Sequence, residues 1–136
     1  MNKMLAKQQS AREKKEFAEL VERANQALKL SKDLAAALEK NKALTETERK
    51  QLAEYEKLVA KIRDDLGGDD DGETNVVTDK NGKPPQDVRD GVLYLKRSTA
   101  NLLDQIQKST RFSISVAAIE TSNTLIRLAR FLRLKN

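Results

Sequence analysis

The residues that come closest to a recognisable chemical site are the acidic ones within residues 67–85. A calcium-binding EF-hand loop needs acidic ligands at positions one, three and five, glycine at position six and glutamate at position twelve. With Gly72 at position six, Gly67 falls first and Thr78 last, and the register on Gly82 places valine at both ends. Neither register fits. We predict no metal site here and interpret the segment as a solvated acidic linker.

Catalytic chemistry has few candidate residues in this chain. The 136 residues include no cysteine and no histidine, which removes thiolate and imidazole groups as nucleophiles, general bases and metal ligands. No serine or threonine is spaced for activation by a lysine or a carboxylate. The glycines of the acidic linker lie among aspartates that would repel a phosphate group. We therefore expect no catalytic residue and no cofactor, and the chain is not predicted to be an enzyme.

The last stretch of the chain, Thr110 to Leu134, is predicted to be a helix with two apolar seams. The first seam has 4-3-4-3-4 spacing and comprises Ile114, Ala118, Thr121, Leu125, Leu128 and Leu132. The second seam lies about 140° around the helix. A helix covered on one side needs a single seam, so the second is either buried inside an irregular bundle or contacts another chain.

We interpret this second seam as a partner interface, and its burial within the chain stays the alternative. Asn123 fits either a polar residue that sets the register of an oligomer or a hydrogen-bonded interior position. Basic residues at the end of the helix suit an acidic partner, an anionic membrane surface or nucleic-acid phosphates, or are simply solvated. The predicted interface residues are Phe112, Val116, Ile119, Asn123, Ile126, Arg130 and Arg133.

Charge is unevenly distributed along the chain. Residues 1–106 carry 20 basic and 20 acidic side chains, so the net charge of +5 belongs to residues 107–136. Within the neutral part, residues 1–15 carry +4 and residues 64–79 carry −7. Such asymmetry concerns partners and solubility rather than fold. The first fifteen residues lack an apolar signal core and no run is long enough to cross a membrane, so a cytoplasmic protein is expected.

Apolar residues elsewhere recur at the 3-4 spacing of amphipathic helices that pack as bundles. Residues 1–15 are read as a basic N-terminal extension, and residues 16–136 as one helical domain. A link of about four residues between the first two helices predicts an antiparallel hairpin. The fold class is all-α, a four-helix bundle of two helical hairpins joined by an acidic flexible loop at about residues 67–85. The predicted helices are Glu16–Lys40, Thr45–Leu66, Pro85–Lys108 and Thr110–Leu134.

These features favour a non-enzymatic protein–protein interaction or assembly module that acts through the C-terminal helix. Its partner would be another protein chain, either a second copy or an acidic protein. One alternative is a peripheral membrane-binding or membrane-perturbing domain that uses the basic amphipathic helix. Sequence-nonspecific nucleic-acid binding is the weaker alternative, because no DNA-reading motif is present. We also expect the acidic loop to be mobile and to tolerate shortening.

Overall fold

The computed structural model describes residues 2–41, 43–72, 85–109 and 116–134. Four α-helices account for most of them, and they pack against one another as a four-helix bundle. The all-α prediction is therefore confirmed. The predicted start of the last helix, at Thr110, lies outside the described residues. The helices are α1 (Asn2–Asn41), α2 (Glu46–Asp65), α3 (Val88–Lys108) and α4 (Val116–Leu134).

Each helix packs against two of the others, so the bundle has a square cross-section. Helix α1 contacts α2 and α3, and α4 contacts the same two helices from the opposite corner. Helices α1 and α2 form the predicted antiparallel hairpin, because the guanidinium of Arg23 on α1 pairs with Asp65 at the end of α2. The second hairpin is also antiparallel, because Gly91 near the start of α3 packs on Leu132 near the end of α4.

The link between the two hairpins crosses the length of the bundle. Gly68, just after α2, packs beside Ile119 near the start of α4, so α2 and α4 are antiparallel. Helices α2 and α3 consequently run in the same direction, and the chain must return to the opposite end before α3 begins. Bundles with one long connection of this kind are an established variant of the four-helix fold. The acidic segment is therefore long because it has to connect opposite ends of the bundle, which the sequence alone did not show.

Turn-forming residues set the helix ends as the sequence predicts. Gly67 adopts φ +86°, and the N–H groups of Gly67 and Gly68 donate to the carbonyls of Asp64 and Arg63, which is the Schellman pattern of a helix C-terminus. Asp87 caps α3 by accepting a hydrogen bond from the N–H of Asp90 at 2.7 Å. The left-handed conformation at Gly67 directs the chain away from α2 and toward α4.

Thr45 and Glu48 have the residue types and spacing of a capping box at the start of α2, and the structure contains only part of that arrangement. Thr45 is the N-cap residue, but its hydroxyl bonds to the Glu48 carboxylate instead of a backbone N–H. This hydrogen bond is the main reason that the pKa of Glu48 is lowered from its ordinary value. The sequence therefore located the helix start correctly, while the hydrogen-bond partners differ from the expected ones.

The predicted apolar seams form the core on α2, α3 and α4. On α1 the buried face is rotated about the helix axis relative to the predicted seam. On α2 the residues from Leu52 to Ile62 at 3-4 spacing are buried, as are those from Val92 to Ile106 on α3. The first seam of α4 is buried at its leucines and at Ala118. On α1 the 4-3 spacing predicts a seam of Phe17, Val21, Ala24, Leu28, Ser31, Ala35 and Leu38, widened by Leu20, Ala27 and Leu34. Phe17 is 38% exposed, and the core of α1 is formed by Leu20, Ala24, Ala27, Ser31, Leu34 and Leu38.

The rotation on α1 amounts to about 50° at 100° per residue. The buried face of α1 packs against α2 and α3. It includes Leu20, Ala27 and Leu34, which lie beside the predicted seam and widen its apolar stripe.

Tyr55 and Thr99 form a buried polar link between the diagonal helices α2 and α3. The Tyr55 hydroxyl lies 2.6 Å from the Thr99 hydroxyl, and both side chains are fully buried. Thr99 itself donates to the carbonyl of Leu95 at 2.6 Å. Because a threonine hydroxyl has one proton, Tyr55 is the donor of the pair. The link satisfies two polar groups that would otherwise be costly in the core.

Alkaline pH is expected to destabilise the fold through Tyr55. Burial raises the pKa of its hydroxyl above the usual range, whereas in the unfolded chain the phenol ionises at about pH 10. The stabilisation is therefore complete below about pH 10 and falls by about 1.4 kcal/mol per pH unit above it. Tyr55→Phe should lower the free energy of unfolding by about 1 kcal/mol at neutral pH and should reduce the alkaline slope. Urea titrations measure both effects, and equal slopes for the two proteins would contradict this prediction.

Candidate functional site

The second seam of α4 faces the protein interior over part of its length. Ile126 is 7% exposed and packs within the hydrophobic core. Asn123 is buried as well and accepts a hydrogen bond from Arg63 Nη1 at 3.1 Å. Its amide also donates to the backbone carbonyl of Asp69 at 3.1 Å. At these two positions the side chains are buried within the chain, which is the alternative that the sequence left open.

The start of α4 is different. Val116 is 63% exposed, and Phe112 lies outside the described residues. Ile119 is partly covered by the chain that follows α2, because a Cβ atom added at Gly68 would lie 2.6 Å from Ile119 Cγ2. Of the predicted apolar interface residues that the structure describes, Val116 is therefore the one that remains on the surface.

The basic residues at the end of α4 are neutralised within the chain. Arg130 Nε and Arg133 Nε lie 3.2 and 2.6 Å from the two carboxylate oxygens of Glu56 on α2. Arg127 pairs with Asp71 at 2.8 Å. The carbonyl of Arg133 also accepts a hydrogen bond from Arg49 Nη1 at 2.6 Å. The positive charge that the sequence assigned to a partner is thus used largely to attach α4 to α2 and to the acidic segment.

The first residues of the acidic segment lie along the groove between α2 and α4. The carbonyl of Asp69 binds Asn123 and the carboxylate of Asp71 binds Arg127, one turn further along α4. A cavity of about 320 Å³ lies beneath Asp70–Gly72. Its lining carries both signs of charge, with Lys57, Arg63, Arg127 and Arg130 among Glu56, Asp70 and Asp71. A site with this balance of charges has no clear preference for an anion or a cation.

The contacts of Asp69 and Asp71 limit how far the crossover can be shortened. From Gly68 to the N-cap of α3 the chain rises about 25 Å along the bundle, estimated at 1.5 Å per helical residue. If residues 73–84 are deleted, the seven steps that remain span at most about 25 Å when fully extended. The predicted mobility of residues 73–84 lies outside the described residues. For residues 68–72, however, these contacts correct the expectation of a freely solvated linker.

Deletion of residues 73–84 is expected to lower the free energy of unfolding by at least about 1–3 kcal/mol. The short link would pull Asp69 out of the groove and leave the buried amide of Asn123 without its partner. A Gly/Ser replacement of equal length is the control and should cost less than about 1 kcal/mol, because closure entropy depends weakly on loop composition and length. Chemical denaturation compares the two proteins. Equal stability would show that the crossover geometry places no constraint on the link.

An exposed helical arm is the main surface feature that the sequence underrated. Helix α1 is 40 residues long, whereas the other helices have 19 to 21. Among its side chains that the structure describes, from residue 11 onward, the first buried one is Leu20, and about 27 Å of helix precedes that residue. Between residues 11 and 19 every side chain except Glu13 is exposed. Residues 1–15 have the helical propensity of the predicted basic extension, and in the structure the helix runs without a break from Asn2 to Asn41.

The arm leaves the bundle at the end where α2 stops and α4 begins. Arg23, one turn into the packed part of α1, pairs with Asp65, and Val116 lies about one turn beyond Ile119 at this same end. We call this the arm end of the bundle. Phe17 and Val116 both belong to it, and they are two of the four large apolar side chains that are exposed in the described part of the chain.

The described residues contain no group of three or more acidic side chains arranged to hold a metal ion. Among the helices that the structure describes, none combines the length and apolar character needed to cross a bilayer. No protein-family model matches the chain, and neither curated proteins nor solved structures show a significant match to it. The functional proposal therefore depends on the geometry of this chain alone.

Proposed function

We propose that this chain is a non-enzymatic helical interaction or assembly module whose contact surface is the arm end of the bundle. The observation that supports this proposal is the exposure of residues 11–19 of α1, where every side chain except Glu13 is exposed ahead of the core residue Leu20. Most helical stability in proteins comes from packing, and an exposed stretch of helix lacks that contribution. A helix that extends past its own bundle is stabilised when another chain packs against it.

Fewer residues of the C-terminal helix are available for contact with another chain than the sequence suggested. Asn123, Ile126, Arg130 and Arg133 are engaged with α2 or the core, which leaves Val116 for an external contact. Val116 lies at the same end as the arm, so it fits an interface that includes residues of both α1 and α4. Exposed apolar side chains beside a charged rim are typical of such contacts.

The two alternative functions were predicted for the basic end of the C-terminal helix, whose Arg127, Arg130 and Arg133 pair with carboxylates of the same chain. The positive charge of the arm is the other basic surface that they could use. A peripheral membrane domain would need an apolar face to enter the lipid interface. The apolar residues of the arm are few and do not form a continuous stripe: Met4, Leu5, Ala6 and Ala11. For nucleic-acid binding, the negative charges of Glu13, Glu16 and Glu19 would repel the phosphate groups. A protein partner accommodates both signs of charge together with Phe17 and Val116.

Solution mass tests this proposal. We expect the full chain to exceed its 15.3 kDa monomer mass as its concentration rises, measured by light scattering. Phe17→Asp and Val116→Asp should shift the protein to monomer and leave its helical content unchanged. Leu134→Asp is the matched control, because Leu134 is 64% exposed but lies at the opposite end. A monomer at all concentrations would overturn assembly of this chain with further copies of itself. Flotation with anionic liposomes would then support the membrane alternative. Salt-dependent binding to a nucleic-acid duplex would support the nucleic-acid alternative.

A further inference from the structure

The arm end of the bundle carries two surfaces of opposite charge. The arm, residues 2–15, has a net charge of +4. The end of α2 and the segment after it present exposed aspartates, here called the acidic strip: Asp64, Asp65, Asp69, Asp70 and Asp71. Arginines of the same chain pair with Asp64, Asp65 and Asp71, so Asp69 and Asp70 are the members of the strip on which the contact depends. Both surfaces belong to every copy of the chain. Two copies of such a molecule can bind each other through two equivalent contacts, each between the basic surface of one copy and the acidic surface of the other.

Geometry prevents the arm from binding the acidic strip of its own chain. Helix α1 is continuous from Asn2 to Asn41, so the arm points away from the bundle. The acidic strip follows the α2–α4 groove in the opposite direction, from Asp65 beside Arg23 to Asp71 beside Arg127. The two surfaces of one chain diverge from the arm end, and a second copy placed end to end brings each arm beside the strip of the other.

The dimensions of the two surfaces agree with such an arrangement. The strip extends from the level of Ile119 to that of Arg127 on α4, a rise of about 12 Å. The arm is about 21 Å long and can cover that distance. Asp69 and Asp70 bind the N–H groups of Asp70 and Gly72 through one carboxylate oxygen each. Each of these carboxylates has a second oxygen that can accept a hydrogen bond from a lysine.

We propose that two copies of this chain associate through reciprocal exchange of their arms, each basic arm lying on the acidic strip of the other copy. The arrangement has two-fold symmetry, so that every contact occurs twice. Phe17 and Val116 lie beside the junction of the two bundles and are covered in the dimer. This inference rests on the proposed function and specifies its partner, namely a second copy of the same chain.

A charge-swap experiment tests the reciprocal contact. Variant A carries Lys14→Glu with Lys15→Glu, and variant B carries Asp69→Lys with Asp70→Lys. Each variant alone places like charges on both contacts, so we expect its dissociation constant to rise by about tenfold or more at low salt. An equimolar mixture of A and B restores opposite charges at both contacts. We expect the mixture to regain the wild-type dimer mass, as should one chain that carries all four substitutions.

Lys40→Glu with Lys50→Glu is the matched control for variant A, because it makes the same change in net charge as that variant at the opposite end of the bundle, where both side chains are exposed. The control should dimerise as the wild type does, and circular dichroism melts verify that every variant is folded. If A and B remain monomeric when mixed, the reciprocal arm contact is wrong.

Two outcomes separate this inference from the proposed function. If the wild type dimerises and Val116→Asp dissociates it, while A and B have no effect, the function stands and the arm exchange is overturned. If the wild type is monomeric and variant A loses binding to anionic vesicles or to a duplex, the arm serves a different class of partner and both proposals are wrong.

Discussion

Ile126→Asp is expected to unfold the protein or to lower its free energy of unfolding by more than about 3 kcal/mol. Ile126 is part of the hydrophobic core and is 7% exposed. An aspartate there would bury a carboxylate among apolar side chains. Arg127 and Arg130, its neighbours on α4, already bind Asp71 and Glu56. The new carboxylate would therefore have to compete with Asp71 and Glu56 for these two arginines.

Val116→Asp is the matched comparison for this prediction. It introduces the same carboxylate on the same seam, but at a position that is 63% exposed. Its effect on the stability of the monomer should stay within about 0.5 kcal/mol. Thermal and urea unfolding of both variants, measured at a concentration where each is monomeric, gives the difference. Similar losses at both positions would mean that the buried and exposed parts of the seam are wrongly assigned.

Leu125→Ala and Leu102→Ala are each expected to lower the free energy of unfolding by about 2–5 kcal/mol. Both leucines are fully buried, Leu125 on α4 and Leu102 on α3. Truncation removes apolar area from the core and leaves a cavity, since surrounding helices relax only partly. The two helices pack against each other, so the losses add only if the two sites are not in contact.

Leu134→Ala provides the control for the core substitutions. It removes the same atoms from the same helix as Leu125→Ala, at a position that is 64% exposed. We expect a change within about 0.5 kcal/mol. Guanidinium titrations with a shared m-value yield the three differences. A near-neutral result at Leu125 and Leu102 would contradict the placement of the core.

The helical parts of this protein follow from the sequence because they depend on local rules. The 3-4 spacing of apolar residues on α2 and α3 requires only that one face of each helix be covered. Gly67 ends α2 because a residue with no Cβ tolerates the left-handed conformation, and Asp87 begins α3 because its carboxylate satisfies a free N–H. These interactions lie within a few residues of chain and are visible in the order of residue types.

The tertiary structure decided what covers each face. The second seam of α4 reads equally well as an interface or as an interior face, and the docking of Asp69 and Ile119 against the end of α2 placed Asn123 inside. Likewise, Arg130 and Arg133 read as a partner surface until α2 brought Glu56 beside them. Those contacts join residues more than 50 positions apart. No local pattern encodes them.

The arm also shows which features the sequence determined and which the tertiary structure decided. Its composition indicated a basic extension, and charge alone could not distinguish a flexible tail from a rigid helix. Its continuity with α1 and its emergence beside the acidic strip depend on where α2 ends in space. Periodicity and capping determined the elements and their ends. The pairing of the helices, with the crossover that it imposes, determined which charges and apolar side chains remain free for another molecule, because burial is a property of the neighbours and not of the segment itself.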